Sequence, residues 1–354
     1  MLLPTETPTE RHANSIGFLR LIFAGLVVYG HSWYLGGFSH EPIEDYILNR
    51  AAHPAGIGVR AFFAISGYLV MQSERRMTSM RGFLFNRFLR IYPGLWVCLL
   101  VTGLIFPAIF FAPAQHSSAN WASSFSYVRS NWFQPRMQVG ISGLFSGIPR
   151  EGDLNGSLWT LPYEIGCYAC LALVGWTGAT AGRARVAWLS GILLFGLYCF
   201  DVLFSSHALF FKNEGRALCA WFVCGSMAAL IPESKLRLGL KPLIVALVTS
   251  AWLASCHLGG ANLFAPVALI LIVLWLAWHL PFSGFEKTVG GDYSYGLYIY
   301  AYPVQQMLAF MGVIRFGVVV FFFLSLVIAL ALAVLSWHLV EKPLLRFKVR
   351  TAPA

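Results

Sequence analysis

Ile16-Gly-Phe-Leu-Arg-Leu-Ile-Phe-Ala-Gly-Leu-Val-Val-Tyr-Gly-His-Ser-Trp33 is apolar over a length suited to crossing a bilayer, yet it carries two ionisable side chains, Arg20 and His31. At about 100° per residue, the step from Arg20 to His31 makes three turns and about 20° more, so both side chains point the same way. At 1.5 Å of rise per residue they stand roughly 16 Å apart along the axis. Ionisable groups inside a membrane helix are costly and mark function by default. Two on one stripe suggest a ligand that is charged at one end and reacts at the other.

The rest of the chain agrees with a membrane setting. Of its 354 residues, 58% are hydrophobic and 11% charged, where a soluble domain carries about 25% charged residues. That excludes a soluble enzyme with a large core and predicts an all-α polytopic bundle of about ten transmembrane helices. Apolar runs place the spans at 16–36, 54–72, 91–113, 157–177, 186–204, 215–231, 241–258, 262–281, 293–313 and 316–340. Residues 1–15 read as a polar leader that runs directly into the first span, without the pattern of a cleavable signal. The transmembrane domain then occupies 16–343, and 344–354 form a basic tail.

The net charge of +10 reports orientation rather than nucleic-acid affinity. Arg75, Arg76, Arg81, Arg87 and Arg90 crowd segment 73–90. Arg183 and Arg185, then Lys235, Arg237 and Lys241, and finally Lys342, Arg346, Lys348 and Arg350 fall in alternate connections. The intervening segment 37–53 is instead acidic, with Glu41, Glu44 and Asp45 against Arg50. Both termini are therefore expected in the cytoplasm, with Arg20 toward the inner face and His31 toward the outer one. Segment 114–156, rich in Ser, Asn and Trp, is longer than an ordinary loop, which marks it as functional or disordered. Its Trp121, Trp132 and Phe133 suit either sugar stacking or the headgroup zone. All seven cysteines lie in apolar stretches and read as small hydrophobes. Cys167 and Cys170 have the spacing of a redox or metal pair, but no second pair accompanies them, so no metal is expected.

Three constellations carry chemistry. A neutral imidazole at His31 suits proton abstraction from a hydroxyl; a proton relay, or a bond to a neighbouring helix, suits it as well. Arg87 and Arg90 are three apart and share a helical face. Their guanidinium forks match phosphate, although a cytoplasmic Arg beside a helix also serves anionic lipid. Glu164, at the start of the fourth span, needs a partner inside the membrane. His31 and Arg60 both qualify.

These elements resemble, in order and over nearly the whole chain, the acyltransferase-3 family of polytopic membrane O-acyltransferases. The residues that carry the resemblance are Phe18-Leu-Arg20 with His31 and Ser32, Gly58-Val-Arg-Ala-Phe-Phe-Ala-Ile-Ser-Gly67, and Phe85-Asn-Arg-Phe-Leu-Arg-Ile-Tyr-Pro93. They continue with Gly156-Ser-Leu-Trp-Thr-Leu-Pro-Tyr-Glu164, Tyr293-Ser-Tyr-Gly-Leu-Tyr-Ile-Tyr-Ala-Tyr-Pro303 and the closing Glu341-Lys-Pro343. The resemblance implies O-acylation, usually O-acetylation, of a carbohydrate or glycolipid in a bacterial inner membrane, with acetyl-CoA as the cytoplasmic donor. It implies His31 as catalytic residue, with Arg20, Arg87 and Arg90 on the CoA; on that reading Glu164 is expected to support His31. Ser32, Ser157, Trp159 and Tyr302 fall on the acceptor side. A homo-oligomer or a separate extracytoplasmic partner that completes transfer is compatible with it. The chain departs from the family pattern at Ile165, where a second acid is common, and at Ala301, where His is common. The rival reading is a proton-coupled transporter in which Arg20, His31 and Glu164 form an ion path. A structural or lipid-binding subunit is the third.

Overall fold

A bilayer offers no water to backbone N–H and C=O groups, so a chain this apolar can satisfy them only within helices or a closed barrel. The computed structural model takes the helical solution. It describes residues 14–48, 52–77, 79–112, 115–134, 137–181, 183–204, 214–258 and 261–349, and among these no strand occurs. In chain order the helices are α1 (Ile16–Gly36), α2 (Pro54–Arg76), α3 (Met80–Leu100), α4 (Phe106–Phe110), α5 (Ser118–Asn131), α6 (Leu161–Ala181), α7 (Arg183–Phe204) and α8 (Glu214–Ala228). They continue as α9 (Glu233–Gly239), α10 (Pro242–Leu258), α11 (Ala261–His279), α12 (Phe285–Val289), α13 (Ser294–Phe310), α14 (Val318–Ser336) and α15 (Lys342–Leu344). The leader up to residue 13, Arg50, and the tail from Arg350 onward lie outside the described residues.

A helix stands at each of the expected apolar runs, but only some have the length and composition of a complete span. Ile16–Gly36, Pro54–Arg76, Met80–Phe110, Gly156–Trp176 and Val318–Phe347 do, which makes five. α8 and α9, bent by 102° at their junction, would together make a sixth. α10 and α11 are shorter, and α13 carries Tyr and Gln and is buried along nearly its whole length. A helix wrapped by protein need not match lipid in length or polarity. Segment 73–90 is a shorter connection than the apolar runs alone suggest: α2 runs to Arg76 and α3 starts at Met80, so Arg81 is helical and Arg87 and Arg90 lie on a helix, where their spacing placed them. Arginine is a good helix former, and the Ser79 hydroxyl caps α3 by accepting from the Gly82 N–H at 3.4 Å. Segment 114–156 likewise contains a helix, α5. Trp132 stacks on Trp96 at 5.0 Å and Phe133 meets the same ring edge-on, so both pack on α3.

Close backbone contact joins α2 to α8. A Cβ on Gly67 would be driven into the Phe222 carbonyl oxygen, and one on Gly225 into that of Ala64. Ser226 donates to the Gly67 carbonyl at 3.2 Å. Small residues at a membrane helix crossing permit this approach, where dispersion and hydrogen bonds replace the hydrophobic effect. Gly225→Val should therefore destabilise the protein by about 1–3 kcal/mol, read as a lower unfolding midpoint in detergent. Gly166→Ala, on an exposed stretch of α6 with nothing within 4 Å of the new methyl, should leave that midpoint level or slightly higher.

Candidate active site

The start of α1 is fixed before its charges are placed. The Ser15 hydroxyl donates to the Leu280 carbonyl at 2.7 Å and accepts from the Phe282 N–H at 3.2 Å. Phe18 stacks on Phe282 with ring centres 4.0 Å apart. One turn on, Arg20 forms an ion pair with Asp292, and so does Arg90 of α3. Both guanidiniums meet the same oxygen, Oδ2. The other oxygen, Oδ1, accepts from the Ser294 N–H at 3.2 Å and its hydroxyl at 2.5 Å, at the start of α13. Arg90 also lies 5.7 Å from the Trp337 ring centre and 6.0 Å from that of Tyr295. Asn86 exchanges two hydrogen bonds with Val349, of 2.8 and 2.9 Å, which bring Lys348 beside Arg87 and Arg90.

Arg87 is half-buried, and its Nε is buried with no hydrogen-bond partner among the described residues. Its guanidinium sits 6.0 Å from the Tyr168 ring centre. The Tyr168 hydroxyl donates to Glu164, and Ser66 donates to the same carboxylate oxygen at 3.2 Å. Glu164 is thus bonded to α2 and to its own helix, near Arg87, rather than to His31. The expected pairing of Glu164 with His31 is not made. Ser66 belongs to the Gly58–Gly67 motif, whose role the sequence alone left blank.

At the other end of α1, His31 lines a cavity of about 1240 Å³. Tyr302, Trp159, Arg60, Trp221 and Asp153 share its wall, and Glu41, Glu44 and Asp45 add acidity. The Tyr302 ring meets His31 edge-on at 5.2 Å. Its hydroxyl donates to Asp153 Oδ2 at 3.4 Å, and Gly156 packs against the ring where a Cβ would not fit. Arg60 lies 5.5 Å from the Trp221 ring centre. His31 Nδ1 is buried without a hydrogen-bond partner in the described residues, an expensive state unless something else uses that nitrogen. Arg20, Arg87 and Arg90 do not line this cavity.

Two expected acceptor-side residues stand elsewhere. Ser32 is fully buried: its hydroxyl donates to the Val28 carbonyl at 2.8 Å and accepts from Gln305 Nε2 at 2.9 Å, which latches α1 to α13. Ser157 is buried behind the cavity wall, where its carbonyl accepts from the Tyr298 hydroxyl at 2.9 Å. Trp159 and Tyr302 do line the cavity. Among the described residues no cluster of His, Cys, Asp and Glu could hold a metal. Asp292 and Gln305 were missed from sequence. The one cue to Asp292 was an acid two positions ahead of Ser294, where a side chain can cap a helix start; Gln305, inside an apolar helix, offered only its polarity.

A pair of ionisable sites joined by one membrane helix fits a group-transfer enzyme, and the comparisons agree. The family profile described as an acyltransferase domain matches residues 14–338. An O-acetyl transferase of Shigella phage Sf6 is 30% identical over 96% of this chain and 98% of its own length. Nodulation protein 10 of Rhizobium leguminosarum bv. viciae is 27% identical over 98% and 96%. No solved structure matches significantly. The chain belongs to the acyltransferase-3 family of membrane-embedded enzymes and is an O-acyltransferase.

The Asp292 carboxyl makes a prediction about acid stability. Burial pushes it up, but Arg20 and Arg90 outweigh burial and hold it well below the usual carboxylate range. A carboxyl depressed by folding contributes its full stability above its unfolded pKa, near about 4, and loses it as the pH falls through the folded value. Melting of the solubilised protein between pH 7 and 3 should therefore show a loss on the acid side. Asp292→Asn should flatten that limb.

Proposed function

We propose that the enzyme moves an acyl group, acetyl in the first instance, from acyl-CoA held at the Arg20 end of α1 to a carbohydrate hydroxyl held in the cavity at His31. One observation carries this reading. The helix that places Arg20 in a cluster of guanidiniums places His31, with an unpartnered buried Nδ1, on the wall of the large cavity. Arginine forks suit the phosphates of CoA, and the roughly 16 Å between the two residues is of the order of an extended pantetheine arm. Aromatic walls at Trp159, Trp221 and Tyr302 suit the faces of sugar rings. The phage relative's name supplies acetyl.

In this reading His31 takes the proton from the acceptor hydroxyl. The oxygen attacks the thioester carbonyl, a C–O bond forms, the C–S bond breaks, and the proton passes from the imidazolium to the leaving thiolate, giving free CoA. A transient acyl group on His31 gives the same products in two steps. Glu164 acts from Arg87's side, holding the hydroxyl of Tyr168, whose ring the Arg87 guanidinium faces, and not as His31's orienting acid. The basic connections favour ten crossings of a bacterial inner membrane with both termini in the cytoplasm, so that donor and acceptor arrive from opposite faces.

The test is release of free CoA from acetyl-CoA by purified protein in lipid, with neutral and acidic glycans supplied in turn. Glycan-dependent release by the wild type should fall by about 10²–10⁴-fold in His31→Ala, with CoA binding retained. Full activity in that variant would overturn the role of His31. An Arg87→Gln variant should instead raise KM for acetyl-CoA.

A further inference from the structure

We propose that Asp292 is a positioning residue of the donor site: its carboxylate holds the guanidiniums of Arg20 and Arg90 side by side, so that the phosphates of the donor meet a pair already assembled. This rests on the reading of the Arg20 end as the donor site. The argument is in how the two oxygens are shared. Oδ1 is committed to Ser294, through both its N–H and its hydroxyl. Oδ2 is left for one N–H of Arg20 and one of Arg90. Among the described residues each guanidinium makes one hydrogen bond to Asp292 and no other, which leaves the remaining donors of each fork for further oxygens.

Without the carboxylate, two like charges of low exposure would face each other from α1 and α3. Repulsion at short range in a partly buried site would turn them apart. Asp292 cannot do this work as a loose side chain, and Ser294 is what fixes it. The geometry also limits how far the carboxylate competes with the ligand. Arg87 and Lys348 lie near the pair without a bond to Asp292, and although Glu341 and Glu286 also act on Arg90 from nearby, Asp292 is the acid bonded to both guanidiniums among the described residues. A site assembled in advance loses less on binding than one that must gather its cations.

The role is measurable as a preference between donors. Acetyl-CoA and acetyl-pantetheine present the same thioester, but only the first carries phosphates. The wild type should have a much higher kcat/KM with acetyl-CoA. In Asp292→Asn that preference ratio should fall about tenfold, because the loss falls on the phosphate-bearing donor alone. A merely structural role would lower both donors in parallel and leave the ratio unchanged, and that result overturns the inference. Ser294→Ala leaves the charge in place but frees the carboxylate, and should move the ratio in the same direction by a smaller factor. If Asp292→Asn does not accumulate, Ser294→Ala carries the test, and an unchanged ratio there overturns the inference as well. A wild type that uses both donors equally would instead overturn the donor-site reading itself, and the role of Asp292 with it.

Discussion

One carboxylate ties three helices together at the end of the bundle where the charges gather. Asp292 binds Arg20 of α1 and Arg90 of α3 through one oxygen and begins α13 with the other. Breaking a fully buried ion pair costs about 3–5 kcal/mol; this set keeps some exposure at Arg20 and Arg90, so removing one member costs less but still leaves a charge uncompensated. The register of α1 against α13 follows from this junction and from a second one higher up. There Gln305 donates to both the Val28 carbonyl and the Ser32 hydroxyl, each at 2.9 Å. Two polar clamps separated by several turns leave α1 no freedom to slide or rotate, and His31 lies within reach of the second.

α13 organises the other end in the same manner. Asn155 donates to the Ile299 carbonyl at 3.0 Å, and Gln306 reaches the carbonyls of Arg150 and Asp153. The long connection before α6 is therefore strapped to the central helix. It delivers Asp153 to Tyr302 and Trp159 to the cavity wall. Polar side chains on a buried helix are costly unless satisfied, and here most find backbone partners in neighbouring elements. The imidazole of His31 is an exception, which is the behaviour expected of a group whose partner is a substrate.

Much of this was legible in the sequence, and the reasons for the remainder are physical. Hydropathy marked the apolar helices, and the ends of α1 fell as expected because Gly37 closes the helix with a left-handed turn. The spacing of Arg20 and His31 on one stripe could be read because a helix has a fixed pitch. Arg87 and Arg90 were recognised as a pair, yet they diverge: one turns toward Tyr168 and the other toward Asp292. Sequence spacing gives a shared face, not a shared partner. An acid inside a membrane span points to His31 or Arg60 as its counterpart, whereas the hydroxyls of Ser66 and Tyr168 supply the bonds that Glu164 makes. Neutral hydroxyls fill a carboxylate's acceptor sites without neutralising it, and they leave no charge pattern to read. Ser32, expected on the acceptor side, bonds Val28 and Gln305 inside the bundle instead of lining the cavity, and a hydroxyl gives no hint in sequence of which way it is bonded.

The contact between α2 and α8 has a mechanical consequence. At Gly67 and Gly225 the two backbones touch, with no layer of side chains between them. Helices that meet through side chains can part by a rotamer change; helices that meet through main chain have nothing left to compress or swing aside. Arg60 on α2 and Trp221 on α8 therefore belong to one stiff wall of the cavity. Whatever enters the cavity cannot spread that wall and must be admitted elsewhere along its rim, as where Arg150 of the connection covers Tyr34 of α1.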